Sequence, residues 1–370
     1  MKKITLIFIF LFIATTTQAT ILNVYFGTGG NETKGIYQAK FDTENGSLSE
    51  VKLAAELGSP GFLALHPDKH KLYAVGKLDD QAVVVGYQID ATGALKQFTV
   101  SAIQDGEGTH IAVHPSGKFL LTAQYGGGST ALFPLDQQGK LGSAIITEHQ
   151  GGSNVVPGRQ DKPHPHWTGF SPDGQYAFVP DLGLDHIVIY RIDMEKPAII
   201  KHGFAATIPG GGPRHMRFSV DGTFIYLLNE LTLSVTTFKY DAGNGTATRL
   251  STTAALSEEE KNKEAFNSSA EILVHPNGRF VYSSNRGNDS ITAYTSDPAT
   301  GLLTVKEVEP IRGSWPRNIN MDSSGNWLLA AGAHSNTISV FKIDQTSGEL
   351  TYKTDSIVNV PGPICILFQE

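Results

Sequence analysis

Apolar strands separated by short polar turns recur along this chain at a nearly constant interval. Met216 and Phe218 run into Ser219-Val220-Asp221-Gly222, Ile225, Tyr226, Leu227 and Leu228 run out of it, and the same strand, turn, strand pattern occurs six times. The other turns are His66-Pro67-Asp68-Lys69, His114-Pro115-Ser116-Gly117, Ser171-Pro172-Asp173-Gly174, His275-Pro276-Asn277-Gly278 and Asp322-Ser323-Ser324-Gly325. Their last residues are separated by 48, 57, 48, 56 and 47 positions. A second marker, a glycine turn entering another strand, falls between them at Asn45-Gly46, Thr92-Gly93, Gln138-Gly139, Asn244-Gly245, Thr300-Gly301 and Ser347-Gly348. Each repeat therefore holds about four strands, and four-stranded units at this period predict the blades of a β-propeller.

The chain ends set the blade count. Pro363-Ile364-Cys365-Ile366-Leu367-Phe368 resembles the first strand that follows Pro213 or Pro316, yet the chain stops where its turn should come. Val24-Tyr25-Phe26-Gly27 resembles a second strand, so the two ends together predict a seventh blade that closes the ring and removes exposed sheet edges. No long amphipathic helical stretch separates the strands, which argues against a two-domain α/β chain. The expected fold is all-β, a seven-bladed propeller of four-stranded blades over residues 20–370.

Composition narrows the function. Apolar residues make up 40% of the chain, enough for a sizeable core, and 39 glycines suit short strands with tight turns. A net charge of -7 argues against a general nucleic-acid binder, which needs an excess of lysine and arginine to displace phosphate counterions. Cys365 is the only cysteine, so no intrachain disulfide forms and a zinc site would need histidines and carboxylates. Lys2 and Lys3 precede an apolar run from Ile4 to Ala14 and the small-residue site Thr17-Gln18-Ala19, the pattern of a cleaved secretory signal. Residues 1–19 are therefore expected to direct export to the periplasm or beyond, with no stable membrane insertion after cleavage.

In a propeller the first strand of each blade lines the central channel, and positions about eight before and eight after each turn meet at one rim. Counting back gives Gly61, His110, His166, Arg214, Glu271 and Arg317; counting forward gives Lys77, Tyr125, Asp181, Glu230, Arg286 and, one further, His334. Apolar residues dominate between them, so the ionisable groups concentrate at one mouth of the channel, where a polar ligand should bind. Arg214 and Glu230 lie sixteen apart across one hairpin, and His166 holds the Arg214 position one blade earlier. A carboxylate or imidazole that draws a proton from water, beside guanidiniums that stabilise an oxyanion, suits the opening of an ester or lactone. Gly126-Gly127-Gly128 and Gly210-Gly211-Gly212 read as turns, because no Lys-Ser or Lys-Thr pair and no strand-to-helix unit accompanies them. His164-Pro165-His166 lacks an identifiable third metal ligand.

Several polar segments resemble the bacterial seven-bladed 6-phosphogluconolactonase family. They are Arg159-Gln160 through His164-Pro165-His166, Val179-Pro180-Asp181-Leu182-Gly183-Leu184-Asp185, Gly212-Pro213-Arg214-His215-Met216, Leu228-Asn229-Glu230-Leu231 and Ser284-Asn285-Arg286. The family is also similar to the fungal carboxy-muconate cyclase, whose His, Arg and Glu set falls on His166, Arg214 and Glu230, with Arg286 a looser match. The resemblance implies hydrolysis of a small-molecule sugar lactone without metal or other cofactor. It makes Glu230 or His166 the general base and Arg214 the oxyanion stabiliser. Arg286, Arg317 and Lys77 become anchors for an anionic substituent, Asp181 an orienting group, and His110 and His164 complete the substrate-facing set.

The type reaction of that family is cytoplasmic, whereas this chain carries an export signal, so an unphosphorylated aldonolactone stands beside 6-phosphogluconolactone as substrate. Two other readings remain open, a secreted ligand-binding propeller without chemistry and a lactonising cyclase that holds dicarboxylates in the same arginine-rich mouth. Insertions at 140–163 and 251–267 account for the two longer spacings and are placed to shape specificity.

Overall fold

A computed structural model of the chain describes residues 20–30 and 33–370; the proposed signal sequence lies outside them. Seven antiparallel sheets stand around one axis. Blade one begins with Gly58–Leu65 on the inside, followed outward by Lys71–Leu78, Gln81–Ile89 and Leu95–Ala102. Blades two to six begin at His110–Val113, Gly169–Phe170, Pro213–Phe218, Ser268–Val274 and Pro316–Met321 and repeat that order. In the seventh, Pro363–Gln369 is the inner strand and pairs with Ile21–Thr28, Val24 facing Phe368 and Phe26 facing Ile366, so the two chain ends share one blade. Blades six and seven carry their outer strand as two short pieces, Leu350–Tyr352 with Val358–Asn359 and Ser47–Leu48 with Lys52–Glu56.

The long apolar runs follow from burial on both faces of each sheet. Phe178 and Ile189 of blade three pack on Ile225 and Leu227 of blade four, while Phe224 and Tyr226 of that same strand face Val281 and Tyr294 of blade five. Seven such clusters fill the seven junctions between blades, the last of them joining Phe26 and Phe368 to Trp327 and Leu329.

Both repeat markers stitch neighbouring blades. The turn histidines His66, His114 and His275 reach the carbonyls of Gly117, Gly174 and Gly325 in the next blade's turn at 3.3, 2.9 and 2.9 Å. The glycine markers receive tyrosines, with Tyr25, Tyr73 and Tyr282 donating to the carbonyls of Gly93, Gly139 and Gly348. Gly245 has φ +63°, and a Cβ there would lie within 2.6 Å of three ring atoms of Tyr176, so both conformation and space demand glycine. Gly245→Ala is expected to destabilise the fold by about 1–3 kcal/mol, as overpacking of a filled interface does. A lower urea midpoint at unchanged slope is the corresponding observation.

Candidate active site

The inner strands are not regular where they reach the channel mouth. In blade four Pro213 pairs with Asn229 and Met216 with Leu227, so Arg214 and His215 together oppose Leu228 in a bulge. Blades one, five and six break register at the equivalent place. A bulge re-aims side chains that strict alternation would send to opposite faces. Arg214 and its neighbour His215 accordingly line one cavity of about 260 Å³, with His166, Arg317, Phe62, Glu107 and Thr109.

Glu230 is the hub of this mouth. It lies at the end of the second strand of blade four, almost fully buried, and its Oε2 accepts from Arg214 Nε at 2.9 Å. Arg286 Nη2 stands 3.3 Å from the same oxygen, and Arg159 Nη2 donates to Oε1 at 2.7 Å. His166 Nε2 lies 3.8 Å from Oε2. Burial alone would raise this carboxyl, but Arg286, Arg214 and His166 outweigh it and hold it far below the ordinary carboxylate range. Burial pushes Arg214, Arg286 and Arg317 down to about 10, with mutual repulsion contributing at each, so all three stay charged at neutral pH. Burial and Arg214 hold His166 well below the usual imidazole value, so that ring is neutral.

The remaining predicted residues take distinct places. Arg317 lines the cavity with no hydrogen bond or ion pair to any described residue. Arg286 donates to the carbonyl of Ser269 and lies over the ring of Trp315, which stacks on His334 and on Phe266 of the second insertion. His164 donates from Nδ1 to the carbonyl of Tyr125 and stacks on that tyrosine, which in turn meets the edge of His166. Asp181 does not reach the cavity: its Oδ2 faces His149 and its Oδ1 accepts from the backbone of His164, Gly183 and Leu184. Lys77 pairs with Glu107 at 2.7 Å and does not line the cavity. His110 belongs with Trp167 and Arg217 to another cavity of about 420 Å³ near the turns, and Glu271 lies one layer below the mouth, bonded to His215 and Arg217.

Reading alternation and turn spacing missed Arg159 and His215. Arg159 sits in the first insertion, where strand counting has no grip, and its only signal was its place in the segment leading to His164-Pro165-His166. Next to it, Gln160 is fully buried and donates to Asp185 Oδ1 at 2.6 Å, and Asp185 accepts from Gly210 N at 2.7 Å and Gly212 N at 3.0 Å. This carboxylate thus fastens the insertion to the triple-glycine turn that leads into Arg214. Asp185→Ala would leave two buried backbone donors unpaired and is expected to cost about 2–3 kcal/mol. It should also raise KM, because Arg159 and Arg214 lose their common support; urea melts and steady-state kinetics measure the two effects. A larger cavity of about 790 Å³ lies between blades two and three, lined by His149, His186 and Phe204 and by none of the mouth arginines.

Comparison with known proteins agrees with this architecture. The family model for lactonases of the seven-bladed β-propeller type matches residues 11–368. A 6-phosphogluconolactonase of Bacillus subtilis is 33% identical over 348 residues, 93% of this chain and 97% of that protein. One from Formosa agariphila is 32% identical over 324 residues, 85% and 90% of the two chains. The solved structure of a periplasmic gluconolactonase from Pseudomonas aeruginosa matches with a TM-score of 0.87 at 31% identity, covering 94% of this chain and 99% of that one. A putative 6-phosphogluconolactonase from Bacteroides fragilis gives 0.87 at 30%, covering 96% and 99%. With its split closing blade and its arginine-ringed channel mouth, the chain belongs to the seven-bladed β-propeller lactonase family.

Proposed function

We propose that this protein hydrolyses a sugar lactone, an aldonolactone or its 6-phosphorylated form, at the mouth built from His166, Arg214 and Glu230. The observation that carries the reading is three guanidiniums, Arg159, Arg214 and Arg286, converging on the single carboxylate of Glu230, with a fourth, Arg317, lining the adjacent cavity, in a protein of net charge -7. Such a site favours anions, and lactone opening makes one: an oxyanion in the transition state and a carboxylate in the product.

Water attacks the lactone carbonyl, and its proton passes to a base while negative charge gathers on the carbonyl oxygen. Arg214, fixed through Nε by Glu230 and through Nη1 by the Ala270 carbonyl, is preorganised to receive that charge. Both oxygens of Glu230 are already engaged by guanidiniums, Oε1 by Arg159 and Oε2 by Arg214 and Arg286, so its part is to hold the arginines in place. The proton acceptor is then an imidazole. Arg317, which has no partner among the described residues, anchors an acidic substituent or the nascent carboxylate. Export through residues 1–19 favours an unphosphorylated aldonolactone, in keeping with the periplasmic gluconolactonase to which the chain is similar.

The test is turnover of gluconolactone and 6-phosphogluconolactone by the mature chain, corrected for spontaneous ring opening. Hydrolysis lost in Glu230→Gln supports the reading. Lactone binding without turnover, unchanged in Glu230→Gln, would make the protein a binding propeller instead.

A further inference from the structure

The mouth contains a second imidazole whose surroundings differ from those of His166 in a way that matters for proton transfer. His215 is the other residue of the blade-four bulge, is nearly buried, and lines the same cavity as His166, Arg214 and Arg317. Its Nδ1 lies 3.0 Å from Oε2 of Glu271. That glutamate, fully buried, also accepts from Asn318 Nδ2 at 2.7 Å, from Arg217 Nη2 at 3.0 Å and from the backbone of Ile272 at 3.0 Å. A carboxylate so supplied with donors presents only lone pairs to the ring, which places the imidazole proton on Nδ1 of His215. Nε2 therefore carries the lone pair, and it has no hydrogen-bond partner among the described residues.

At His166 the arrangement is reversed. The nitrogen facing a carboxylate is Nε2, 3.8 Å from Glu230, and Nδ1 is buried with no partner among the described residues. The negative charge of Glu230, too far for a hydrogen bond, favours the proton on Nε2, which leaves the lone pair of His166 on the buried Nδ1. The two rings, 5.3 Å apart between centroids, thus hold opposite tautomers, one offering a donor to the cavity and the other an acceptor.

We propose that His215, oriented by Glu271, is the catalytic base of this site, and that His166 is a hydrogen-bond donor to the reacting carbonyl. The assignment rests on the lactone-hydrolase reading and names the imidazole that reading requires. The water oxygen bonds to the carbonyl carbon as its proton moves to Nε2 of His215, and the carbonyl π pair moves onto the oxygen held by the arginines. When the tetrahedral adduct collapses, the bond from the carbonyl carbon to the ring oxygen breaks. His215 returns its proton to the departing alkoxide, and the hydroxy acid is released. Glu271 is a positioning residue: it fixes the tautomer and faces the imidazolium while the proton is in transit.

The groups around His215 are Arg214, Arg217, Arg286 and Arg317, the imidazoles of His110 and His166, and Glu271. Burial and then the arginines hold His215 well below the usual imidazole value, so its base form persists through neutral pH and activity should fall only on the acid side.

The experiment joins kinetics to a readout independent of activity. In wild type, imidazole nitrogen NMR, assigned by comparison with His215→Asn and His166→Asn, should show the Nδ1–H form of His215 and the Nε2–H form of His166. His215→Asn, whose amide can still donate to Glu271, should lose about 10²–10⁴ in kcat with KM within about threefold. His215→Ala should regain activity with added imidazole in proportion to its unprotonated fraction. Glu271→Gln should lower kcat and populate the other tautomer of His215, and Glu271→Asp should recover part of both. Wild-type-like turnover in His215→Asn, or a proton on Nε2 of His215 in wild type, overturns the assignment while leaving the hydrolase reading intact. A wild type that opens no lactone overturns the hydrolase reading and the assignment together.

Discussion

Arg214→Ala is expected to reduce kcat for lactone opening by about 10²–10³, the usual effect of removing one preorganised oxyanion donor. The guanidinium is 2% exposed and tied on two sides, by Glu230 at Nε and by the Ala270 carbonyl at Nη1. It does not have to be ordered when substrate arrives, so its interaction strengthens only as charge develops on the carbonyl oxygen. The loss should therefore appear in kcat more than in KM. Arg214→Lys is the informative companion. An ammonium keeps the charge but cannot bond Glu230, the carbonyl and the oxyanion in one plane, so at least about a tenfold deficit should persist. Arg317→Met should behave differently. Its guanidinium has no partner among the described residues, and its loss should raise KM for lactones with an acidic substituent while leaving neutral lactones nearly unchanged. A KM effect for Arg214→Ala with kcat preserved would show that the residue binds the ground state and would remove it from the oxyanion role.

How far the sequence exposed this site depends on which physical rule governed each residue. Burial on both sheet faces imposes long apolar runs, and the turns between them need glycine and small polar residues, so the blade count, the closing blade and the Arg214–Glu230 pairing across one hairpin were all legible. Glu230 falls at the end of a regular strand, where counting is reliable. Counting fails at the bulge. Alternation sends His215 to the face opposite Arg214, and the extra residue brings both to the cavity. In blade five the strand register sets Arg286 opposite Ser268 rather than beside Glu271, where spacing had placed it, and Glu271 goes to His215 while Arg286 goes to Glu230. Lys77 and Asp181 occupy the expected ends of their strands, but each is engaged by a nearer partner, Glu107 and His149 respectively, which lies outside the strand pattern. Arg159 comes from an insertion, where no periodicity exists to read.

Glu230→Gln should be the most damaging substitution for stability near neutral pH and should lose much of that effect in acid. Wild-type Glu230 is almost wholly buried, and its folded pKa is held far below the unfolded value of about 4.3 by Arg286, Arg214 and His166. For a carboxyl depressed in this way, the stabilisation is fully present above the unfolded pKa and is lost as pH falls toward the folded one. At pH 7, glutamine leaves Arg214 and Arg286 buried with their shared counter-charge removed, a change that costs about 3–5 kcal/mol in comparable buried pairs. Below about pH 4.3 the unfolded wild-type chain gains a proton that the folded chain does not take up. Its advantage over the variant should then shrink by about 1.4 kcal/mol per pH unit. Urea unfolding of both proteins at pH 7, 5, 4 and 3 measures the difference directly. A gap that stays constant across this range would mean that the arginines do not lower the pKa of Glu230 in the folded state. The carboxylate would then be free to act as a base, and the proton would no longer need an imidazole acceptor.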